Sequence, residues 1–214
     1  MKQNFSWDLF NKMPIIGIMR NLPVESIITI ADIYCECGFS CLEITMNSAG
    51  AAEIISVLSD RFAGRLNIGA GTVCEPEDLK IALQAGASFI VTPVINKEVI
   101  EECVRQKIAI FPGADTPTEI YQANKLGADV VKVFPANIKG PGYIKEVSGP
   151  LNWIQLLPTG GIGYDNFMAY FTAGARGVGI GSKLFPPELI QNRDWLSLEN
   201  LFKQYVQRYL EGIS

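Results

Sequence analysis

Lys132 stands in the run Val130-Val131-Lys132-Val133-Phe134, a basic residue inside an otherwise apolar segment. Such a run reads as a β-strand. Alternation sends Val131 and Val133 to one face and Lys132 with Phe134 to the other. An amine shielded from water holds its proton less firmly, so its neutral form becomes available to attack a ketone. Glu43 has a matching place in Leu42-Glu43-Ile44-Thr45, where Glu43 and Thr45 share a face opposite Leu42 and Ile44. Two readings are open: a buried ion pair, or an imine-forming lysine beside a carboxylate that moves protons. A buried pair costs desolvation and seldom stabilises a core more than apolar packing does, which favours chemistry.

A second group of residues suits an anion. Pro158-Thr159-Gly160-Gly161 closes one apolar run, and Gly179-Ile180-Gly181-Ser182 closes the next. Gly160, Gly161 and Gly181 let backbone N–H groups approach an anion, and Ser182 adds a hydroxyl at a helix start. These glycines could equally serve only to make tight turns. Arg20, at the end of Ile15-Ile16-Gly17-Ile18-Met19-Arg20, could hold a carboxylate or phosphate with two parallel hydrogen bonds, or form a rim salt bridge. Thr72 and Pro93 also fall at strand ends, where each could line a pocket or belong to a turn.

Composition narrows the chemistry. The chain has no histidine, which removes serine–histidine and cysteine–histidine dyads and histidine-ligated zinc. Five cysteines, Cys35, Cys37, Cys41, Cys74 and Cys103, are an odd number with three bunched, unlike a secreted disulfide framework. They read as packing thiols; no metal site is expected. A net charge of −4, with acids and bases interspersed, offers nothing to track a nucleic-acid backbone. The start, MKQNFSWDLFNKMP, lacks the apolar core of a signal peptide, and no apolar run is long enough to span a bilayer. A cytoplasmic protein with no membrane partner is expected.

The elements that must position these residues follow from a repeat. Gly38, Gly86, Gly127 and Gly174 each precede an apolar strand-like run, with about two βα units between successive glycines. Strands are expected at Ile15–Met19, Cys41–Thr45, Asn67–Ala70, Phe89–Thr92, Ala109–Pro112, Val130–Phe134, Gln155–Pro158 and Val178–Ile180. Helices fill the gaps, among them Val24–Cys37, Glu75–Ala85, Lys97–Gln106 and Thr116–Leu126, with Trp195–Glu211 last. A short N-terminal helix is preceded or capped by Ser6 or Asn11. Eight strands alternating with helices require parallel pairing with right-handed crossovers. The count and even spacing favour an α/β fold of the (β/α)8 TIM-barrel type, in one domain over residues 1–214, above an open doubly wound sheet. No GxGxxG or P-loop lysine motif opens the first helix. In such a barrel Lys132 and Glu43 point inward near the C-terminal strand ends, and the loops after the last two strands form the usual phosphate site.

The strings IIGIMR, GFSCLEIT, IGAGTV, FIVTP, FPGADTPTE, VVKVFPA, LLPTGGI and GIGSKL occur in that order over nearly the whole chain. With them the sequence resembles the 2-keto-3-deoxy-6-phosphogluconate (KDPG) aldolase family, which includes 4-hydroxy-2-oxoglutarate aldolases. The resemblance implies a lyase of carbohydrate metabolism in the Entner–Doudoroff pathway, working as a homotrimer without metal or cofactor on a small phosphorylated keto acid. Lys132 would form the imine and Glu43 would move protons, partly through a water. Thr72, Pro93, Phe134 and Thr159 would surround the pyruvyl half, with Arg20 taking part of the anion binding. Gly160, Gly161, Gly181 and Ser182 would bind the phosphate. Many members carry an arginine four residues after the glutamate; here that position is Asn47, as in the branch that cleaves the galactonate epimer, while PTGGI resembles the gluconate branch. Two other functions fit the same barrel: a phosphosugar isomerase or epimerase, and a non-catalytic phospho-ligand sensor.

Overall fold

The computed structural model describes residues 4–213. Among these residues there are nine strand segments, with helices between all but β5 and β6: β1 (Ile15–Met19), β2 (Cys41–Thr45), β3 (Asn67–Gly71), β4 (Phe89–Val91), β5 (Ala109–Phe111), β6 (Gly113–Ala114), β7 (Val131–Val133), β8 (Leu156–Pro158) and β9 (Val178–Ile180). Ten α-helices accompany them among the described residues: α1 (Trp7–Lys12), α2 (Val24–Glu36), α3 (Ala51–Arg61), α4 (Pro76–Gln84), α5 (Lys97–Gln106), α6 (Pro117–Lys125), α7 (Gly140–Ser148), α8 (Phe167–Thr172), α9 (Pro187–Gln191) and α10 (Trp195–Ile213).

Local chemistry explains many boundaries. Ser6 accepts from the Leu9 N–H and so caps α1. Gly38, Gly86, Gly127 and Gly174 all have φ between +96° and +100°, the left-handed turn that follows a helix end. At α6, Thr116 accepts from the Glu119 N–H while the Glu119 carboxylate accepts from the Thr116 N–H, satisfying two otherwise free donors at once. Thr116→Ala is expected to cost about 1 kcal/mol, read as a lower midpoint in denaturant with an unchanged slope. An unchanged midpoint would remove the cap from the account of this helix.

The strand pairings are all parallel. One sheet runs β5-β4-β3-β2-β1-β9 and the other β6-β7-β8. Nine segments appear where the sequence suggests eight strands, because Pro112 alone separates β5 from β6. Proline has no N–H, so the ladder breaks there. Its carbonyl still accepts from the Lys132 N–H at 2.9 Å. On the other side, Thr159 and Gly179 form an isolated parallel bridge between the end of β8 and β9.

Alternation sorts the strand residues into two cores. Leu42, Ile44, Ile68, Ile90, Val131, Val133 and Leu156 pack with apolar helix faces. Ile16, Ile18, Cys41, Phe89, Val91, Phe111 and Leu157 form a separate cluster on the opposite strand faces. Phe5 and Phe10 cover one end of this second cluster, where Phe5 packs against Phe89 and Phe111 at centroid distances of 5.3 and 5.6 Å. That end is the N-terminal one: Asn67, which starts β3, accepts from the Ser6 N–H and donates to its carbonyl at 2.8 and 2.9 Å.

Candidate active site

The opposite, C-terminal end holds the polar groups. Lys132 and Glu43 are both buried, at 5% and 2% exposure, so desolvation governs their titration. Burial pulls the Lys132 ammonium below the ordinary lysine value; the Glu43 carboxylate opposes this, and Arg20 reinforces it. Burial likewise raises Glu43 above the ordinary carboxylate range, against the attraction of Lys132 and Arg20. Each group thus stands within electrostatic reach of the other, and Arg20 stands within reach of both. Both shifts favour neutral forms, an amine and a carboxylic acid, and both move the groups toward the pH where protons can be exchanged.

Glu43 is fitted closely. Gly71 ends β3 opposite Thr45, and a methyl group at Gly71 would overlap the Glu43 carboxyl and come within 2.7 Å of its Cγ. Lys132 is paired with Gly113 on one side and Leu157 on the other. The Lys132 Nζ lies 5.1 Å from the centroid of the Phe134 ring. The same ring faces Gly160, where an added methyl would lie 3.4 Å from its Cδ2 and Cε2. Phe134 therefore links the buried amine to the glycine loop.

Above this pair opens a cavity of about 390 Å3, lined in part by Arg20, Phe134, Thr159, Gly160, Gly161, Gly181 and Ser182. Seven residues singled out from the sequence thus meet at one opening. Lys132 and Glu43 lie outside its wall and connect to it through Phe134 and Arg20. Thr72 and Pro93 also lie outside the wall. Thr72 follows β3 with φ +57°, and the Pro93 backbone presses on Gly113, where a side-chain carbon would come within 2.9 Å of the Pro93 Cα.

The glycine loop presents its donors for a physical reason. The carbonyls of Thr159 and Gly160 accept from the N–H groups of Ala136 and Asn137 at 2.8 and 3.1 Å. The Gly161 carbonyl accepts from the Asn166 amide at 3.2 Å. Gly160 and Gly161 have φ of +102° and +67°, and a side chain at 161 would overlap Asn137. After β9, the Gly181 carbonyl accepts from Leu184 and Phe185 at 2.8 and 3.1 Å. With these carbonyls tied back, the N–H groups of the two loops are the candidate donors for an anion.

Sequence reasoning did not single out Asn21, Leu22, Ile162 and Lys183, which also line the cavity. Nor did it find the hydroxyl relay that holds the Arg20 loop. Ser48 Oγ accepts from the Asn21 N–H at 3.0 Å and lies 2.9 Å from Thr45 Oγ1, which donates to the Met19 carbonyl at 3.5 Å. Arg20 is thus flanked on both sides by residues tied to the end of β2. Asn47 itself is exposed.

The comparisons with known proteins agree on one family. The family model described as KDPG and KHG aldolase matches residues 8–201. The chain is 34% identical over 206 residues to the 2-dehydro-3-deoxy-6-phosphogalactonate aldolase of Escherichia coli strain K12, covering 94% of this chain and 97% of that protein. It is 33% identical over 201 residues to the 2-dehydro-3-deoxy-phosphogluconate aldolase of Pseudomonas aeruginosa, covering 93% and 89%. Among solved structures, a native KDPGal structure superimposes with a TM-score of 0.89 at 29% identity, over 99% of each chain. The KDPG aldolase from Legionella pneumophila, with pyruvate captured at low pH as a covalent carbinolamine intermediate, gives 0.84 at 28% identity, over 91% and 95%.

Proposed function

We propose that this chain, which belongs to the KDPG and KHG aldolase family, cleaves 2-keto-3-deoxy-6-phosphogluconate to pyruvate and glyceraldehyde 3-phosphate through an imine on Lys132. Members named for that family are aldolases, carbon–carbon lyases, and this chain is one. The observation that carries the mechanistic reading is the burial of Lys132 and Glu43 within electrostatic reach of each other, beneath a cavity with two donor-rich loops. The carbinolamine captured on the Legionella enzyme supports it.

Neutral Lys132 attacks C2 of the keto acid, and Glu43 as carboxylic acid supplies the proton with which the C2 hydroxyl leaves as water, giving a protonated imine beside a Glu43 carboxylate. Glu43 as carboxylate takes the C4 hydroxyl proton. The C3–C4 bond breaks, its electron pair flows into the imine, and the aldehyde leaves an enamine behind. Protonation at C3 and hydrolysis release pyruvate and restore the amine. The imine is the electron sink, so the step requires no metal or cofactor. Phe134 and Thr159 wall the pyruvyl half, with Thr72 and Pro93 after the β3 and β4 ends. Arg20 faces the carboxylate, and Gly160, Gly161, Gly181 and Ser182 receive the phosphate. The same residues admit 4-hydroxy-2-oxoglutarate, which would yield pyruvate and glyoxylate.

A second reading, cleavage of the galactonate epimer, is favoured by Asn47 and by the galactonate aldolase relative at 34% identity. The two differ in the C4 hydroxyl that Glu43 must reach. Pyruvate release from both epimers and from 4-hydroxy-2-oxoglutarate, measured side by side, decides between them. Borohydride reduction with pyruvate is expected to leave a mass adduct on Lys132. An adduct on another lysine removes Lys132 as the nucleophile, and no adduct at all overturns the imine mechanism in favour of a phosphosugar isomerase or a sensor.

The direction of the Lys132 shift sets the pH dependence. Below its pKa the amine is protonated and cannot attack, so trapping rises with pH and levels off below the ordinary lysine value of 10.5. The inflection belongs to the coupled pair with Glu43. A trapping rate still climbing at the ordinary lysine value would exclude a buried amine as the nucleophile.

The architecture in this reading is a single closed eight-stranded barrel over residues 1–214. It is supported by the lone Pro112 interruption between β5 and β6, and by the Thr159–Gly179 bridge at the other seam. A homotrimer in the cytoplasm completes the reading, with five unpaired cysteines in keeping with a reducing compartment; sedimentation at working concentration tests the assembly.

A further inference from the structure

Lys183 follows Ser182 in the loop after β9 and lines the same cavity. Among the described residues, two cations, Arg20 and Lys183, are on the wall of that cavity, and no aspartate or glutamate is. This local excess of positive charge belongs to a chain whose net charge is −4. The two cations are divided in space. Arg20 is within electrostatic reach of Glu43 and Lys132, at the reacting end. Lys183 lies against the glycine loop. A methyl group at Gly163 would lie 3.2 Å from Lys183 Cβ and Cγ and 3.7 Å from its Cδ, so the stem is laid beside the loop that follows Gly161. Its backbone is held as well, because its carbonyl accepts from the Tyr205 hydroxyl at 3.5 Å. The ion pairs among the described residues use Arg61, Lys97, Arg105, Lys139 and Lys203, leaving the Lys183 ammonium uncommitted.

We propose that Lys183 supplies the positive charge for the phosphate end of the substrate and thereby sets the preference of the site for phosphorylated over unphosphorylated keto acids. This rests on the aldolase reading above. The loop N–H groups can shape a site around four oxygens, but they carry only partial charges against a phosphate dianion. An ammonium on a flexible stem is a point charge suited to that task. Lys183 is exposed, so its attraction for the phosphate is open to screening by salt.

The test compares wild type, Lys183→Met and Lys183→Arg. Each is assayed for cleavage of both phosphorylated epimers and for the pyruvate concentration giving half-maximal borohydride trapping on Lys132. Methionine keeps a stem of similar length and removes the charge; arginine keeps the charge. Lys183→Met is expected to raise KM for the phosphorylated substrate roughly 10–100-fold, as for loss of a charge-assisted contact. The pyruvate requirement, which involves no phosphate, should move less than about threefold, and Lys183→Arg should recover most of the KM loss. Added salt should raise the wild-type KM more steeply than that of Lys183→Met. A KM within about threefold of wild type in Lys183→Met overturns the proposal, as does an equal rise in the pyruvate requirement. Wild-type protein that neither traps pyruvate nor releases it overturns the aldolase reading and this inference together; one that does both with Lys183→Met indifferent overturns the role of Lys183 alone.

Discussion

Lys132→Arg is expected to lower pyruvate release by about 10⁴–10⁶-fold, the range seen when a covalent nucleophile is removed. The guanidinium stays positive beside Glu43, as the protonated lysine would be. It stays protonated at every working pH and cannot form an imine. Loss of activity in this variant is therefore loss of the nucleophile, provided the fold survives the larger group between Gly113 and Leu157. Lys132→Met guards that condition. It replaces the buried amine with an apolar chain of similar length and leaves Glu43 to be buried as the neutral acid, so it is expected to fold while being equally inactive. Borohydride trapping with pyruvate should give no adduct in either variant. Turnover of Lys132→Arg within tenfold of wild type would end the imine mechanism.

Gly71→Ala is expected to cost about 10²–10³-fold in kcat, although residue 71 carries no functional group. A methyl there overlaps the Glu43 carboxyl and comes within 2.7 Å of Cγ, so Glu43 must move. Displacing a catalytic group by about 1 Å can cost about 10²-fold, and a positioned proton-transfer group is worth about 10²–10⁴-fold in all. Gly71 is in ordinary strand geometry, and its carbonyl accepts from Met46 at 2.8 Å, so alanine suits the backbone and the damage falls on Glu43. Glu43→Gln provides the reference: it keeps the shape and removes the base. The two variants should fall to similar kcat values, and pyruvate trapping on Lys132 should persist in both. A Gly71→Ala enzyme with wild-type kcat and an unshifted melting temperature would show that the Glu43 position is not critical.

The strand pattern and the burial of Lys132 and Glu43 were both legible because each is a departure from, or an instance of, a two-residue period. Lys132 and Glu43 interrupt apolar runs, and the runs themselves divide into Val131 and Val133 against the helices and Ile16 and Phe89 on the opposite strand faces. The break at Pro112 was not legible, since Ala109-Ile110-Phe111-Pro112 is apolar throughout and the missing N–H matters only once a neighbouring strand is in place. Lys183 and the Asn21–Ser48–Thr45 relay were hidden for a related reason. They depend on which loops meet, and no local period encodes a meeting between residues 27 positions apart. Thr72 and Pro93 were readable as strand-end residues, and like Lys132 and Glu43 they lie outside the cavity lining.

The aromatic cap of Phe5 and Phe10 over the N-terminal strand ends has a kinetic consequence. In the mechanism proposed above, with that end stoppered, the doorway to Lys132 is the cavity lined by Gly160, Gly161, Gly181 and Ser182. In the cleavage direction the aldehyde must depart through it while the three-carbon fragment is still tethered to nitrogen. Run backwards, the keto acid must load first and the aldehyde second, so the synthetic reaction should follow a compulsory sequence. An aldehyde phosphate that enters too early occupies the doorway and should inhibit competitively against pyruvate.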